Sequence, residues 1–230
     1  ILDDKTPYDN DITYSTGVDI TNGKYGGGLY FDGHSDFIQR STLPDSLEPD
    51  VISVEAWIYP KATGHQYIID AADHIYSSYG GYFLRIKDDN KIEFRIYTTW
   101  GNSNVFSTTQ IEINNWYHIA GVYDGYALRL YINRICEDIV LIDENMKYSY
   151  DYGLNIGRSN GNCRFFKGII DEVRISNYPR SFHEDTDGDG MSDMYEIMRS
   201  VNSNQYNPKE HNGRHSVLMC WDDEDNSNAF

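Results

Sequence analysis

The chain has 230 residues, and its 19 Lys and Arg against 36 Asp and Glu give a formal net charge of −17. This balance argues against nucleic acid or an anionic membrane surface as a partner, because both require a cationic protein face. Hydrophobic residues make up 40% of the chain, enough for a packed core, yet no apolar run approaches the roughly 18 residues that a membrane-spanning helix needs.

Strand signals dominate residues 25–176. The clearest are the alternations of apolar and polar residues at 91–97 and 127–134, since successive side chains of a strand point to opposite faces. Similar segments lie at 31–39, 53–59, 67–71, 82–87, 116–123, 138–142, 154–157 and 168–176. About ten to twelve short strands joined by Asp, Asn and Gly turns predict an all-β fold with two antiparallel sheets face to face. We expect the first and last strands to pair and so protect sheet edges.

The composition changes after residue 182, and three regions are predicted. Residues 1–182 form the sandwich, and residues 183–201 contain an acidic loop followed by the one segment with a helical pattern. Residues 202–230 are a polar linker and the start of a truncated downstream domain, in which 216–220 look like a single strand separated from its sheet.

The acidic loop predicts a calcium site. Counting from Asp185, positions 1, 3, 5, 9 and 12 carry carboxylates, and Gly190 stands at position 6. An EF-hand loop uses this spacing to wrap oxygen ligands around Ca²⁺, with a backbone carbonyl at position 7. The expected ligands are Asp185, Asp187, Asp189, Met191 through its carbonyl, Asp193 and Glu196. The alternative is an acidic, solvated linker. Because no helix is expected before it, the loop resembles those of dockerins and thrombospondin type 3 repeats.

The three cysteines leave two alternatives. Cys136 and Cys163 form either a disulfide or two free thiols, and Cys220 is then unpaired. The 20 Tyr residues are typical of β-rich proteins with long polar loops. We expect an extracellular location, secreted or on a cell surface. The chain starts at Ile1, and we expect it to be a piece of a larger exported protein.

Seven stretches carry a family resemblance. They are GGGLYFDG at 26–33, SDFI at 35–38, SVEAWIYP at 53–60, NWYHIAGVYDG at 115–125, LYIN at 130–133, LNIG at 154–157 and FKGIIDEVRI at 166–175. In this order they resemble the laminin-G-like jelly roll of the concanavalin A-like lectin/glucanase superfamily, over roughly residues 12–182. The resemblance implies two curved antiparallel sheets and recognition of carbohydrate or protein outside cells.

The resemblance also implies a structural Ca²⁺ near the joined first and last strands. The ligands it implies are Asp32, Asp36, a backbone oxygen near Gly33, and Asp171. The alternative is that Asp32 and Gly33 only make a turn, while Asp171 pairs with an arginine, Arg174 or Arg40.

Aromatic residues in two polar loops are the candidate ligand contacts. Trp57 and Trp116 fall at positions that resemble core, whereas Trp100 lies in a predicted polar loop at 98–104. A second loop, at 73–82, offers Tyr76, Tyr79 and Tyr82. Aromatic rings stack on the flat C–H faces of sugars, so we expect these four residues to contact a glycan. The alternative is that they are ordinary surface residues of a Tyr-rich protein.

We expect the chain to be non-catalytic. Glycoside hydrolysis needs two carboxylates flanking the scissile bond, but the glucanase pattern of Glu, Asp and Glu at every second position is absent. Asp171 and Glu172 are consecutive, so they point to opposite faces of a strand. The predicted function is an extracellular, calcium-binding recognition module that binds glycan, and we expect a monomer. The alternatives are a structural adhesion module that binds a cell-surface or matrix protein, and the accessory region of a secreted peptidase or glycoside hydrolase.

Overall fold

The computed structural model describes residues 12–73, 79–149 and 152–182, together with the backbone of one strand at Ser216–Met219. Within these ranges the chain is almost entirely β-strand, with one short 3-10 turn at Asp45–Leu47. The strands are β1 Tyr14–Thr16, β2 Asp19–Asn22, β3 Gly27–Asp32, β4 Phe37–Arg40, β5 Ile52–Pro60, β6 Gln66–Asp73, β7 Gly80–Ile86, β8 Lys91–Thr98, β9 Gly101–Gln110, β10 Tyr117–Tyr123, β11 Ala127–Ile132, β12 Ile135–Leu141, β13 Leu154–Ile156, β14 Lys167–Ser176 and β15 Ser216–Met219. The predicted all-β class is confirmed.

Two antiparallel sheets form a jelly-roll sandwich. The first sheet has the strand order β1-β4-β13-β6-β7-β8-β9, and the second has the order β12-β11-β10-β5-β14-β3-β2. The early strand β3 pairs with the late strand β14, as predicted for the two ends of the sandwich, but the first strand, β1, pairs with β4. This closure leaves β2 and β12 as the outer strands of the second sheet.

The core lies between the sheets because the strands alternate as their sequences predict. Ile92, Phe94 and Ile96 of β8 are fully buried in one large apolar cluster, whose other members come from both sheets. Phe94 reaches across to β10, where a Cβ atom on Gly121 would lie 2.2 Å from the Phe94 ring. Only glycine fits there, so close packing of the two sheets depends on this pair of residues.

Carboxylates close the gap between two sheet edges. β9 ends the first sheet and β12 ends the second. Glu137 of β12 accepts hydrogen bonds from the backbone N–H groups of Thr108 and Thr109 at 2.8 and 2.9 Å. Asp138 accepts one from the backbone of Phe106 at 2.9 Å. These charge-assisted bonds satisfy edge groups of β9 that would otherwise pair with another chain.

The segment after β14 is bound to the outer face of the second sheet. The Ser53 hydroxyl donates to the carbonyl of Tyr178 at 2.8 Å and accepts from the backbone N–H of Arg180 at 2.7 Å. The Arg180 guanidinium pairs with Glu55, which is buried. Phe182 is only 6% exposed and packs on three residues of the sheet, Ala120, Val122 and Tyr131. The exit from the sandwich is therefore fixed by both polar and apolar contacts.

The strand predicted to be separated from any sheet has a partner. The backbone of β15 pairs antiparallel with residues 173–176 of β14, in the same sheet as β3 and β5. The expectation of a lone strand was therefore wrong, because its hydrogen-bonding partner lies about 40 residues earlier in the chain. No helix in the part of the chain that the structure describes is long and apolar enough to cross a membrane.

Of the two alternatives for the cysteines, the structure has free thiols. Cys136 lies on β12 and Cys163 lies in the loop before β14, where it is exposed, and the two are not bonded. Cys220 lies outside the described residues.

Candidate functional site

Trp100 is the most exposed large hydrophobic side chain in the described ranges. It occupies the tight turn between β8 and β9, and 85% of its surface is exposed. The residues after it belong to β9, so the predicted polar loop at 98–104 was wrong. A short turn cannot fold back on itself to cover a large side chain, and the indole therefore faces solvent.

Trp100 borders a shallow depression of about 210 Å³. Its other lining residues come from three separate segments: Thr99 from the same turn, Gly125 from the turn between β10 and β11, and Asp143, Glu144 and Asn145 from the segment after β12. The site therefore exists only in the folded sandwich, where these segments meet at one end.

Hydrogen bonds fix these segments to one another. The backbone N–H of Thr99 donates to the carbonyl of Asn145 at 3.2 Å. The Tyr123 hydroxyl donates to the carbonyl of Glu144. In the β10–β11 turn, the Asp124 carboxylate accepts from the backbone N–H groups of residues 126 and 127 at 2.9 and 2.7 Å. The floor of the depression is thus preorganised by backbone contacts, and its side chains remain available.

The depression is electronegative. The Asp143 and Glu144 carboxylates have no hydrogen-bond or ion-pair partner among the described residues. Asp124 is different, since Arg129 neutralises it at 2.6 Å. Burial, and after it the charges of Asp124, Asp143, Glu144 and Asp50, raises the pKa of the Tyr123 hydroxyl to about 12. The site therefore offers an apolar ring face beside carboxylate and amide groups that can bind hydroxyl groups.

The predicted tyrosine contacts divide into three cases. Tyr79 is 52% exposed, and its ring stacks on that of Tyr97 with centroids 5.9 Å apart. It lies just before β7, at the same end of the first sheet as Trp100. Tyr82 is fully buried, and its hydroxyl donates to the carbonyl of Leu47. Its assignment as a ligand contact was wrong, because its side chain lies on the face of β7 that is buried in the core. Tyr76 lies outside the described residues.

Trp57 and Trp116 pack as expected, but not in the core. Trp57 is half-buried on the outer face of the second sheet, where it contacts His118 at 5.3 Å between ring centroids. Trp116 is also half-buried and contacts Tyr59 at 5.4 Å. The core residues of β5 are Val54, Ala56 and Ile58, so alternation places Trp57 on the opposite face.

The predicted calcium ligands Asp32 and Asp36 lie together in the turn between β3 and β4. The Asp32 carboxylate accepts the backbone N–H groups of His34, Ser35 and Asp36 at 2.7–3.2 Å, and these bonds lower its pKa although desolvation opposes them. Asp36 accepts the N–H of Asp32 at 2.8 Å, and burial raises its pKa. Gly33 has a φ of 81°, which the turn requires. The two carboxylates therefore stabilise the turn itself.

Asp171 does not join them. The pairing of Lys167 with Asp32 places Asp171 four residues further along β14, about 13 Å away. Its carboxylate accepts from the backbone N–H groups of Lys24 and Tyr25 at 2.7 and 3.0 Å, rather than pairing with Arg174 or Arg40. Burial raises the pKa of Asp171, although these hydrogen bonds act to lower it. In the described ranges no three His, Cys, Asp or Glu residues are arranged to hold a metal ion. The set of ligands that the resemblance implied does not fit one cation.

The loop at 185–196 lies outside the described residues, so its predicted ligands Asp185, Asp187, Asp189, Met191, Asp193 and Glu196 remain a prediction.

Sequence reasoning missed three residues of the site: Asp143, Glu144 and Asn145. They form a polar run between two buried residues, Ile142 and Met146, which is a signal for an exposed turn. Nothing local connects that run to Trp100, which lies more than 40 positions away. Their meeting depends on long-range pairing, including the bridge between Thr98 and Met146.

The fold places the chain in a known family of proteins. The family model of the concanavalin A-like lectin/glucanases superfamily, Laminin_G_3, matches residues 31–184, and the chain belongs to this family. Its fold is lectin-like. No curated protein sequence matches the chain.

Three solved structures illustrate the likeness. The binding domain of Paraclostridial Mosquitocidal Protein 1 has a TM-score of 0.59 at 16% identity, over 76% of this chain and 45% of its own. A putative carbohydrate binding protein from Bacteroides ovatus has a TM-score of 0.53 at 22% identity, over 67% of this chain and 44% of its own. Domain 4 of AbnA, a GH43 extracellular arabinanase from Geobacillus stearothermophilus, in complex with arabinotriose, has a TM-score of 0.53 at 20% identity, over 69% and 74%.

The chain thus spans less than half of the first two proteins. At these identities the likeness concerns the fold alone. The fold resembles that of binding domains.

Proposed function

We propose that the chain is a non-catalytic glycan-binding module whose ligand stacks on Trp100 and hydrogen-bonds to Asp143, Glu144 and Asn145. The observation that carries the proposal is the 85% exposure of an indole beside a preorganised polar depression. The exposed ring face is free to stack on the apolar C–H face of a sugar, and the polar groups beside it can bind hydroxyl groups. The lectin-like fold supports the proposal, as does the arabinotriose complex of the arabinanase domain.

A single substitution tests the site. Trp100→Ala should weaken binding to the best ligand on a glycan array by about 30-fold or more, because a central Trp contact is worth about 2 kcal/mol. The melting temperature should stay unchanged, since exposed substitutions alter stability by less than about 0.5 kcal/mol.

The matched control is Tyr14→Ala. Tyr14 is 54% exposed and lies on β1, at the opposite edge of the first sheet, six strand spacings or about 29 Å from β9. Its removal should leave binding intact. Equal binding by Trp100→Ala and the parent would move the glycan site elsewhere, and binding to no glycan would reject the function.

One observation favours a second candidate, a module that binds a protein partner. The outer strand β12 exposes four large apolar residues, with Ile135 at 67%, Ile139 at 51%, Val140 at 37% and Leu141 at 63%. A row of this kind on a sheet edge suits apolar protein contact. Replacing Ile139 and Leu141 with Ser would abolish binding to a cell-surface or matrix protein under this candidate, and would leave glycan binding intact under the first.

We further propose that the module is extracellular and binds Ca²⁺ at 185–196, which would stiffen the connection to the remainder of a larger secreted or cell-surface protein. The support is the spacing of Asp185, Asp187, Asp189, Asp193 and Glu196 around Gly190. An accessory role in a secreted peptidase or glycoside hydrolase is compatible with this arrangement.

A further inference from the structure

We infer that Asp143 and Glu144 make this module select neutral glycans over acidic ones. The inference rests on the proposed glycan site at Trp100 and specifies the chemical class of its ligand. Its basis is the charge of the residues that line the depression, considered together with the exposed indole that marks where a sugar would lie.

Among the described residues, every Asp, Glu, Lys, Arg or His side chain that lines the depression is acidic. Asp143 and Glu144 supply two carboxylates, whereas Thr99, Trp100, Gly125 and Asn145 are uncharged. Neither carboxylate has a partner among the residues that the structure describes, and both residues line the space where a ligand would sit. A sialic acid, uronic acid or sulfated sugar stacked on Trp100 would place its own negative charge beside them.

In the described part of the chain, no Lys, Arg or His lines the depression. The guanidinium of Arg129 is bound to Asp124 at 2.6 Å. Lys147 follows Asn145 closely in the chain but does not line the depression. The whole chain adds to the effect through its net charge of −17. An acidic sugar therefore meets repulsion at short range and at long range.

A neutral sugar is attracted by the same carboxylates. Its hydroxyl groups donate hydrogen bonds, and a carboxylate accepts such bonds more strongly than a neutral oxygen does. Asn145 adds an amide that both donates and accepts. The same two carboxylates therefore favour one class of glycan and disfavour the other, which makes Asp143 and Glu144 determinants of specificity.

The test compares matched neutral and acidic ligands on the same protein. The neutral set is arabinotriose, xylotriose, cellotriose and lactose, and the acidic set is trigalacturonate, 3′-sialyllactose and sulfated lactose. Two negative protein charges about 6 Å from the carboxylate of a bound acidic sugar lower the affinity for that sugar about tenfold at low salt, even at the dielectric constant of water. We expect the best neutral ligand to bind at least about tenfold more tightly than the best acidic ligand, and lactose to bind more tightly than its sialylated and sulfated forms. The ratio should shrink in 0.5 M NaCl, where charges are screened over about 4 Å.

Two double variants locate the cause. Asp143→Asn with Glu144→Gln should reduce the ratio of neutral to acidic affinity to within about threefold. The control, Asp88→Asn with Glu112→Gln, removes the same charge from exposed positions at the opposite end of the first sheet and should leave the ratio as in the parent.

Equal affinity of the parent for both sets, or the same change of ratio in both double variants, would overturn the inference. If glycan binding still depended on Trp100, the proposed function would stand, and only the selectivity for neutral glycans would be rejected. Failure of every glycan to bind would reject the proposed function itself.

Discussion

Removing the charge of Glu93 should destabilise the sandwich strongly. Glu93 lies on the outward face of β8 with its side chain only 1% exposed. One of its oxygens contacts the Arg85 guanidinium at 2.6 and 2.8 Å, and the other contacts Arg95 at 2.7 and 3.0 Å. Arg85 also donates to the hydroxyl of Tyr67 at 2.9 Å. Among the described residues, Glu93 therefore forms ion pairs with both arginines on this face.

The expected magnitude follows from the burial of these groups. Removing one partner of a buried ion pair costs about 3–5 kcal/mol, because the remaining charge loses its compensation. The side chains of Arg85 and Arg95 keep 17% and 25% exposure, so water recovers part of that cost. We therefore expect Glu93→Gln, which preserves the side-chain volume, to lower the free energy of unfolding by about 3 kcal/mol. A domain of this size would lose roughly 6–12 °C in melting temperature.

Equilibrium urea unfolding, followed by tryptophan fluorescence, measures the effect. The midpoint should fall while the slope stays as in the parent, which shows that the variant still unfolds from the same compact state. Glu112→Gln is the control, because Glu112 is exposed and its substitution should change stability by less than about 0.5 kcal/mol. The double variant Glu93→Gln/Arg95→Gln should cost less than the sum of its single substitutions, since the two residues interact directly. A loss below about 1 kcal/mol in Glu93→Gln, or strict additivity in the double variant, would refute this reasoning.

Three further predictions concern pH, the exit segment and calcium. Burial raises the folded-state pKa of Asp171 above its usual value of 3.8, so its contribution to stability is present at acid pH and is lost as the pH rises through that pKa. The free energy of unfolding of the parent minus that of Asp171→Asn should therefore fall by up to about 1.4 kcal/mol per pH unit above pH 4. A difference that does not change with pH would contradict this prediction. Phe182→Ala should speed hydrogen exchange of the Arg180 amide at least about tenfold, because losing a buried Phe contact costs more than about 1.4 kcal/mol. Core amides should keep their protection. Unchanged exchange of the Arg180 amide would show that the exit segment is held without Phe182. Replacing Asp185 and Glu196 with Ala should remove one bound Ca²⁺ per chain, as counted by mass spectrometry of the metal, and an unchanged count would reject the loop as the site.

Local patterns in the sequence were sufficient for the central strands. The alternation at Ile92, Phe94 and Ile96 predicted which face of β8 is buried, because side-chain direction in a strand is a local property. Strands β1 and β2 were missed because they are short and largely exposed, so they carry no apolar alternation. β9 was missed for a related reason, since its first residues are polar and owe their conformation to pairing with β8.

The site was less predictable, and two errors were avoidable. Tyr82 stands in phase with Leu84 and Ile86, so the same alternation that predicted β7 also places this tyrosine in the core. Trp57 stands out of phase with Ala56 and Ile58, which places it on the outer face. The meeting of Trp100 with residues 143–145 is different in kind, because it arises from the sandwich as a whole and no local pattern encodes it.

NMR titration of the tryptophan indole N–H resonances with the best neutral trisaccharide decides whether a glycan stacks on Trp100. If it does, the Trp100 resonance shifts and saturates with the ligand, while those of the half-buried Trp57 and Trp116 stay in place. Saturable binding that leaves the Trp100 resonance unmoved would place the ligand at another site.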